Sequence, residues 1–498
     1  MEGEVYIIMD VEKVLEIESK YHLYEDTIEG VQYWMYARHE LCQLYFPYLK
    51  DPDMGISHNK LKNKASFIKK AFGLLWNSIW NGRRRASRAE VCIIDHERRV
   101  CEDGVYECKH TKEVYEYFKK KAIILERPYN YGHLKPINEE HIVYLDYISL
   151  LCNFYYLYVK YFRRKRYNDI YNQVKSHMEI PLAEMNQALQ MNCSLGTISD
   201  MVSKVILRNQ VRIKKMDELF DRIQPRILIE TVGYSNTCMA ANEVARKRNI
   251  IIYEMQHGAF GATHYGYNLK TDREIKQLPN YFLIFGDFWK LNFDNFLKRE
   301  NIRAVGFPYL EKKIRIEKGK MKSDGKKMVL FLSSGEIGEK FARIACKFVE
   351  EVNESNQCDI VYKLHPGEYL VWEKNYPKLK ELHQSGKIHV IDSSDSNLYA
   401  LFSKADIQVV GTLSTTIHEG LAFGLKTIAY SIGDLVDLKY LFDKQYAYRI
   451  DDLEDVESIY RILMDQDEGM QVETGFFWKQ NALKNIVEVI EETSGVKG

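Results

Sequence analysis

From Arg226 onward, short runs of β-formers alternate with helix-length segments: RILIE (226–230), SNTCMAANEVARKRN, then IIIYEM (250–255). This alternation constrains the fold more than any single motif, because strands separated by helices pair parallel and bury both faces of their sheet. The same rhythm returns in KMVLFLSS (327–334), DIVYKLHP (359–366), KIHVID (387–392), DIQVVG (406–411) and LKTIAYS (425–431). EVCIID (90–95) and KAIILE (121–126) extend it less regularly toward the amino end. The expectation is α/β: an N-terminal helical region over 1–89, one doubly wound domain over 90–310, a Lys-rich linker over 311–326, a second doubly wound domain over 327–475, and an amphipathic terminal helix over 476–498.

Composition narrows the function classes. With 498 residues, 46% hydrophobic and 28% charged, the chain has enough apolar content for more than one core. Its formal net charge of +0 argues against nucleic acid as the general partner. Nine cysteines, an odd number without a CxxC pair, fit reduced thiols. Cys101, Cys108 and His110 lack a fourth ligand at zinc spacing, so no metal is expected. The start MEGEVYIIMDVEKV has neither a basic n-region nor a long apolar run, and the expected location is the cytosol.

In open parallel sheets, ligands meet the residues just past the strands' carboxyl ends. Three such tips in the second half are polar: Ser333, Ser334 and Gly335; Lys363 and His365; and Gly411, Thr412, Ser414, Thr415 and Thr416. Pro366 keeps His365 extended and Gly367 lets the chain leave sharply, so the imidazole stays at the tip. GTLSTTIHEGLAFG (411–424) puts hydroxyls where a strand gives way to a helix, an arrangement suited to phosphate. Glu419, one turn on, is placed to accept from ribose hydroxyls; the alternative is a solvated Glu419 beneath a simple cap.

KLHPGE followed some fifty residues later by GTLSTTIHEGLAFG resembles the donor half of GT-B glycosyltransferases. The likeness is to the bacterial surface-polysaccharide group that includes capsule Kdo and sialic-acid transferases and teichoic-acid glycerophosphotransferases. It covers residues 327–432 best. It implies a GT-B fold, two Rossmann-like domains facing a cleft, with a C-terminal crossover helix. It implies a nucleotide-activated donor, CMP- or CDP-linked among the options, held by His365 and by Ser414, Thr415 or Thr416 without a further cofactor. YEMQHGAFG resembles the Gln-His-Gly loop of the acceptor domain, which makes His257 a candidate base flanked by Gln256 and Gly258. Glu97 and Glu230 are further candidate bases, while His96, Glu97, Arg98 and Arg99 either face an acceptor or form a solvated turn. The Asp/Glu-Asp/Glu-Gly motif of polysialyltransferases is absent, so sialic acid is not implied. The reaction implied is sugar transfer to a surface polysaccharide or lipid-linked glycan. CDP-polyol phosphotransfer, nucleotide-sugar 2-epimerisation and a non-catalytic polysaccharide-binding or export role stay open beside it.

Residues 54–89 contain no Asp or Glu, and Lys60 through Arg88 interleave basic residues with Phe67, Phe72, Trp76, Ile79 and Trp80. NFYYLYVKYFRRKR (153–166) ends in the same way. Both runs suit a helix lying on the inner membrane face, through residues 60–88 above all, and equally a core-facing stripe with a basic rim; an acidic polysaccharide acceptor bound to the Arg cluster is a third reading. DPDM (51–54) has metal-binding Asp-x-Asp spacing but follows no strand, and neither a P-loop nor a dinucleotide fingerprint occurs.

Overall fold

The computed structural model describes residues 11–45, 73–82, 85–129, 132–261, 264–292, 297–317, 326–335, 337–353, 357–393, 397–412, 414–432, 435–465 and 472–498. Most of the basic segment expected at the membrane (60–72, 83–84) and the DPDM motif lie outside them. The chain divides into two compact units. The first holds the N-terminal residues, the chain up to Pro308 and Asn481–Gly498; the second holds Tyr309–Gln480.

The first unit is built on β1 (Val91–Ile94), β4 (Ala122–Glu126), β5 (Ile142–Tyr144), β6 (Ile227–Thr231), β7 (Ile251–Met255), β8 (Tyr281–Ile284) and β9 (Ile302–Ala304), with a small antiparallel ribbon of β2 (Val100–Glu102) and β3 (Val105–Glu107). The sheet runs β5-β4-β1-β6-β7-β8-β9, all parallel. Its central strands read as unbroken apolar runs because helices cover both faces. Alternate residues of β1 serve opposite cores: Cys92 and Ile94 pack with Phe220 and Ile223, whereas Val91 and Ile93 pack with Ile486, Ile490 and Val496. The last three belong to the terminal segment, whose helix Ala482–Ser494 thus completes the first unit's core. Three helices, Asp146–Phe162, Arg164–Ala188 and Leu195–Ile223, separate β5 from β6.

Two N-terminal helices, Val11–Lys20 and Tyr33–Tyr45, are tied to each other by a buried ion pair. The Glu18 carboxylate accepts from Arg38 (3.0 and 2.9 Å), Trp34 Nε1 (2.7 Å) and Tyr24 (2.6 Å). Arg38 in turn donates to the carbonyls of Tyr265 (2.9 Å) and Asn268 (3.0 Å), which fastens the loop after β7.

The second unit carries β10 (Met328–Leu332), β11 (Asp359–Lys363), β12 (His389–Ile391), β13 (Ile407–Val410), β14 (Lys426–Tyr430) and β15 (Tyr448–Ile450), all parallel in the order β12-β11-β10-β13-β14-β15. Helix Pro308–Glu317 occupies the first part of the stretch expected as a linker; residues 318–325 lie outside the described residues. Each unit thus carries a Rossmann-like parallel sheet, and the terminal helix returns to the first unit. No helix among the described residues is long and apolar enough to cross a membrane.

Candidate functional site

Both sheets grow the same way. The chain lays down a first strand, adds two on one side, then crosses to the other side of the first, which puts the reversal between β1 and β6 in one unit and between β10 and β13 in the other. Connections leave such a pair in opposite directions and open a crevice beyond the strands' carboxyl ends.

In the second unit, Ser333–Gly335 follow β10, His365 follows β11, and Gly411–Thr416 follow β13. The three tips lie at one end of three adjacent parallel strands. Gly335 approaches the His365 ring, with a Cβ position 3.5 Å from its Nδ1. A Cβ on Gly411 would sit 2.4 Å from Ile337 Cδ1, so the β10 and β13 loops meet only because that residue is glycine. His365 Nδ1 accepts from the Gly367 amide (3.1 Å), which leaves the Nε2 position as the donor. Ser414 caps the helix Thr415–Phe423: its Oγ accepts from the Thr416 amide (3.3 Å) and the Thr416 hydroxyl (2.9 Å). β11 and β13 stand two strand spacings apart, about 10 Å, a span that a diphosphate fills when donors approach from both sides.

Glu368, which the sequence did not single out, holds this loop. Its buried carboxylate accepts from the His365 amide (2.7 Å), Ser333 Oγ (3.0 Å) and Tyr376 OH (2.8 Å). Burial raises its pKa against the pull of those donors. Lys363 turns toward β12, donating to Tyr369 OH and the Ser393 carbonyl (both 2.8 Å); burial pushes its pKa down to about 8. The Ser334 hydroxyl is also buried. Glu419 is 4% exposed, which excludes the solvated alternative.

In the first unit, the turn after β1 is buried rather than solvated. His96 and Arg99 are each 6% exposed. Arg99 binds Asp95 (2.8 Å), Glu126 (2.9 Å) and Glu139 (2.9 Å), while Glu97 pairs with Arg127 (2.6 Å). His96 Nδ1 accepts from the Arg98 amide (3.0 Å), and burial pushes its pKa down to about 3. Its ring lies 5.9 Å from that of His257 and 5.8 Å from that of His110, which stacks on Phe307 at 5.4 Å. Burial also holds His110 well below its usual range, so both imidazoles are neutral.

His257 sits past β7 within a chain of hydrogen bonds. Glu254 accepts from the Gly233 amide (2.7 Å) and from Tyr267 OH (2.6 Å); Tyr267 OH also meets His257 Nδ1 (3.1 Å), and Tyr234 OH meets Nε2 (3.3 Å). Since Tyr267 donates to Glu254, its oxygen accepts from Nδ1–H, and the basic lone pair of His257 is on Nε2. The Gly233 turn reaches Glu254 because Val232 adopts φ 57°, a strained conformation for a β-branched residue. A Cβ on Gly233 would meet Glu254 Oε2 at 2.2 Å and Glu230 Oε1 at 3.0 Å. Glu230 is fully buried beside Glu254; burial raises both pKa values, and the charge of Glu254 raises that of Glu230 further. Gln256 ties the loop internally, donating to the Gly258 carbonyl (2.9 Å) and accepting from the Phe285 amide (2.8 Å).

Thus His96, Glu97, His257 and the Gln256–Gly258 loop gather at one end of the sheet, with Glu230 beneath them. His110, Arg127, Tyr234, Glu254 and Tyr267 complete the cluster. Of these, His110 stood out in the sequence only beside Cys101 and Cys108, as an incomplete zinc set, and Glu254 carried a signal as a charge inside an apolar strand, at the register partner of Glu230.

A pH effect follows from the adjoining ion cluster. His133 bridges Glu126 (2.6 Å) and Asp146 (2.9 Å); burial works to lower its pKa, but the two carboxylates outweigh it and raise it from 6.5 to about 8. A raised histidine stabilises fully below its unfolded pKa, and that contribution is lost as pH rises through 8. Urea unfolding is expected to show a loss of up to about 2 kcal/mol on this account between about pH 5, below the unfolded pKa, and about pH 10, above the folded one. A His133→Ala variant should lack that part of the slope; an identical slope would refute the assignment.

No family model matches the chain, and no curated protein matches it. Among solved structures it is similar to UDP-GlcNAc 2-epimerase from Methanocaldococcus jannaschii (TM-score 0.48, 11% identity, 81% of this chain and 99% of that chain). It is also similar to UDP-GlcNAc 2-epimerase from Neisseria meningitidis bound to UDP-GlcNAc (0.46, 12%, 81% and 99%) and to sucrose-phosphate synthase from Thermosynechococcus elongatus (0.43, 10%, 81% and 99%). At identities of 10–12% those activities remain statements about those proteins.

Proposed function

We propose that the protein is a metal-independent glycosyltransferase that moves a sugar from a nucleotide-activated donor to a growing surface polysaccharide or lipid-linked glycan, at the inner face of the cytoplasmic membrane. The observation that carries this is the placement of His365 and the Ser414-capped helix start on either side of the Ser333–Gly335 loop, at the reversal point of the second sheet. Donors aimed from both sides suit the phosphates of a leaving nucleotide, whose charge grows in the transition state. In the first unit, His257 presents Nε2 as a base for the acceptor hydroxyl, oriented through Tyr267 by Glu254. The exposed Trp76 and Trp80, on the helical residues 73–80, support the membrane location.

Saturation-transfer NMR with CMP, CDP, UDP and GDP tests the donor half. One nucleotide is expected to bind, and His365→Ala to weaken it about 10- to 100-fold, the loss of one charge-assisted hydrogen bond. Absence of binding by all four would overturn the transferase assignment in favour of a non-catalytic role. A UDP or GDP preference would exclude CDP-polyol transfer, and turnover of a nucleotide sugar to its epimer without acceptor would mark a 2-epimerase.

A further inference from the structure

We infer that the solvent-facing side of helix Asp146–Phe162 is a docking surface for an anionic lipid bilayer. This deepens the membrane location proposed above but rests on a different helix.

One side of the helix is committed to the core, where Ile148 and Cys152 pack with Met216 and Phe220. Leu151, Phe154, Leu157, Tyr158, Tyr161 and Phe162 occupy another arc, about 140° wide at the α-helical repeat. They are 40–79% exposed, with Phe154, Tyr161 and Phe162 at 64%, 58% and 79%. The exposure removes one meaning the sequence left open: this stripe does not face a core. Isolated exposed apolar residues are ordinary, but a contiguous aromatic face marks contact with something else.

Charge indicates what that is. The helix has one acidic residue, Asp146, which is fully buried against His133. Its carboxyl end runs into Arg163, Arg164 and Lys165, all exposed. An apolar, Tyr-rich stripe ending in a cationic cluster matches acyl chains beneath anionic headgroups. At 17 residues the helix is short for a span and suits lying in the interface.

A second exposed face adjoins it. Leu75, Trp76, Ile79 and Trp80 are 45–62% exposed, and their segment of the chain has no acidic residue. It meets the first helix's entry where the Asn81 carbonyl accepts from the Tyr144 amide (2.9 Å) and Gly82 packs on Tyr147.

Co-sedimentation of the full chain with phosphatidylcholine vesicles, with and without phosphatidylglycerol, tests the surface. Binding is expected only with the anionic lipid. The combined change Phe154→Ser, Tyr161→Ser and Phe162→Ser should lower partitioning about tenfold or more, without altering the thermal unfolding curve. Arg164→Glu with Lys165→Glu should abolish the preference for phosphatidylglycerol. Unchanged partitioning of the triple variant would overturn the inference. So would light scattering that shows a lipid-free dimer split by the same changes, since the surface would then belong to a second copy. Nucleotide binding measured on the same variants keeps the two assignments apart: its absence in the wild type defeats the transferase and leaves the vesicle result standing.

Discussion

His257→Ala is expected to lower turnover of the nucleotide sugar about 10²- to 10⁴-fold, the range for loss of a positioned general base. The nucleotide's dissociation constant should stay within about threefold, because the proposed phosphate donors, His365 and the Ser414-capped helix start, belong to the other unit. The size of the effect rests on the hydrogen-bond polarity around the ring. Glu254 accepts from both the Gly233 amide and Tyr267, so Tyr267 must accept from Nδ1–H and the proton-accepting nitrogen is Nε2. Tyr267→Phe keeps the ring but severs this link; it should cost less than the alanine change, about tenfold. Single-turnover transfer assays with the nucleotide sugar identified by NMR give both numbers. Turnover of the His257→Ala variant within threefold of wild type would remove His257 from the chemistry.

Arg99→Met is expected to cost about 3–5 kcal/mol of folding stability, a large part of what a domain has in reserve. The guanidinium is 1% exposed and answers Asp95, Glu126 and Glu139 at once. Burial already pushes the Asp95 carboxyl up to about 6 against the attraction of Arg99. Without the cation these buried carboxylates lose their counter-charge; they must take up protons or the structure must open. Arg99→Lys should recover only part, since one ammonium cannot present the planar fork that reaches all three. Urea midpoints of the three proteins measure this. Breaking the exposed Lys119–Glu140 pair serves as the control and should leave the midpoint unmoved. An Arg99→Met midpoint equal to the control's would mean the cluster is not holding the β1 turn.

The long, apolar and regularly spaced strands were legible in the chain. RILIE, IIIYEM, KMVLFLSS and DIQVVG became β6, β7, β10 and β13 within a residue or two. The strands not anticipated, β2, β3, β5, β8, β9 and β15, have three or four residues each and carry little pattern of their own; the neighbouring strand stabilises them. The residues of the second unit's candidate site could be named because they follow strands directly: HPGE and the Ser/Thr run are local signals. Glu368 was missed although it stands in that motif, since nothing local shows a carboxylate folding back on its own loop. The first unit's cluster was half visible. His96 and His257 could be named for it; His110 was noticed only beside Cys101 and Cys108, and Tyr234 and Tyr267 were not noticed at all.

Local chemistry thus determined the strands, the α/β class and the strand-end groups, because backbone preference, apolar periodicity and Pro/Gly turns act between near neighbours in the chain. Tertiary structure decided which tips share an end of a sheet, that the HERR turn is buried around Arg99, and that the stripe on Asp146–Phe162 faces outward. Those outcomes depend on strand order and helix packing. Such contacts join residues 100 or more positions apart, as in the Arg127–Ser235 bond, and no window of sequence contains both partners.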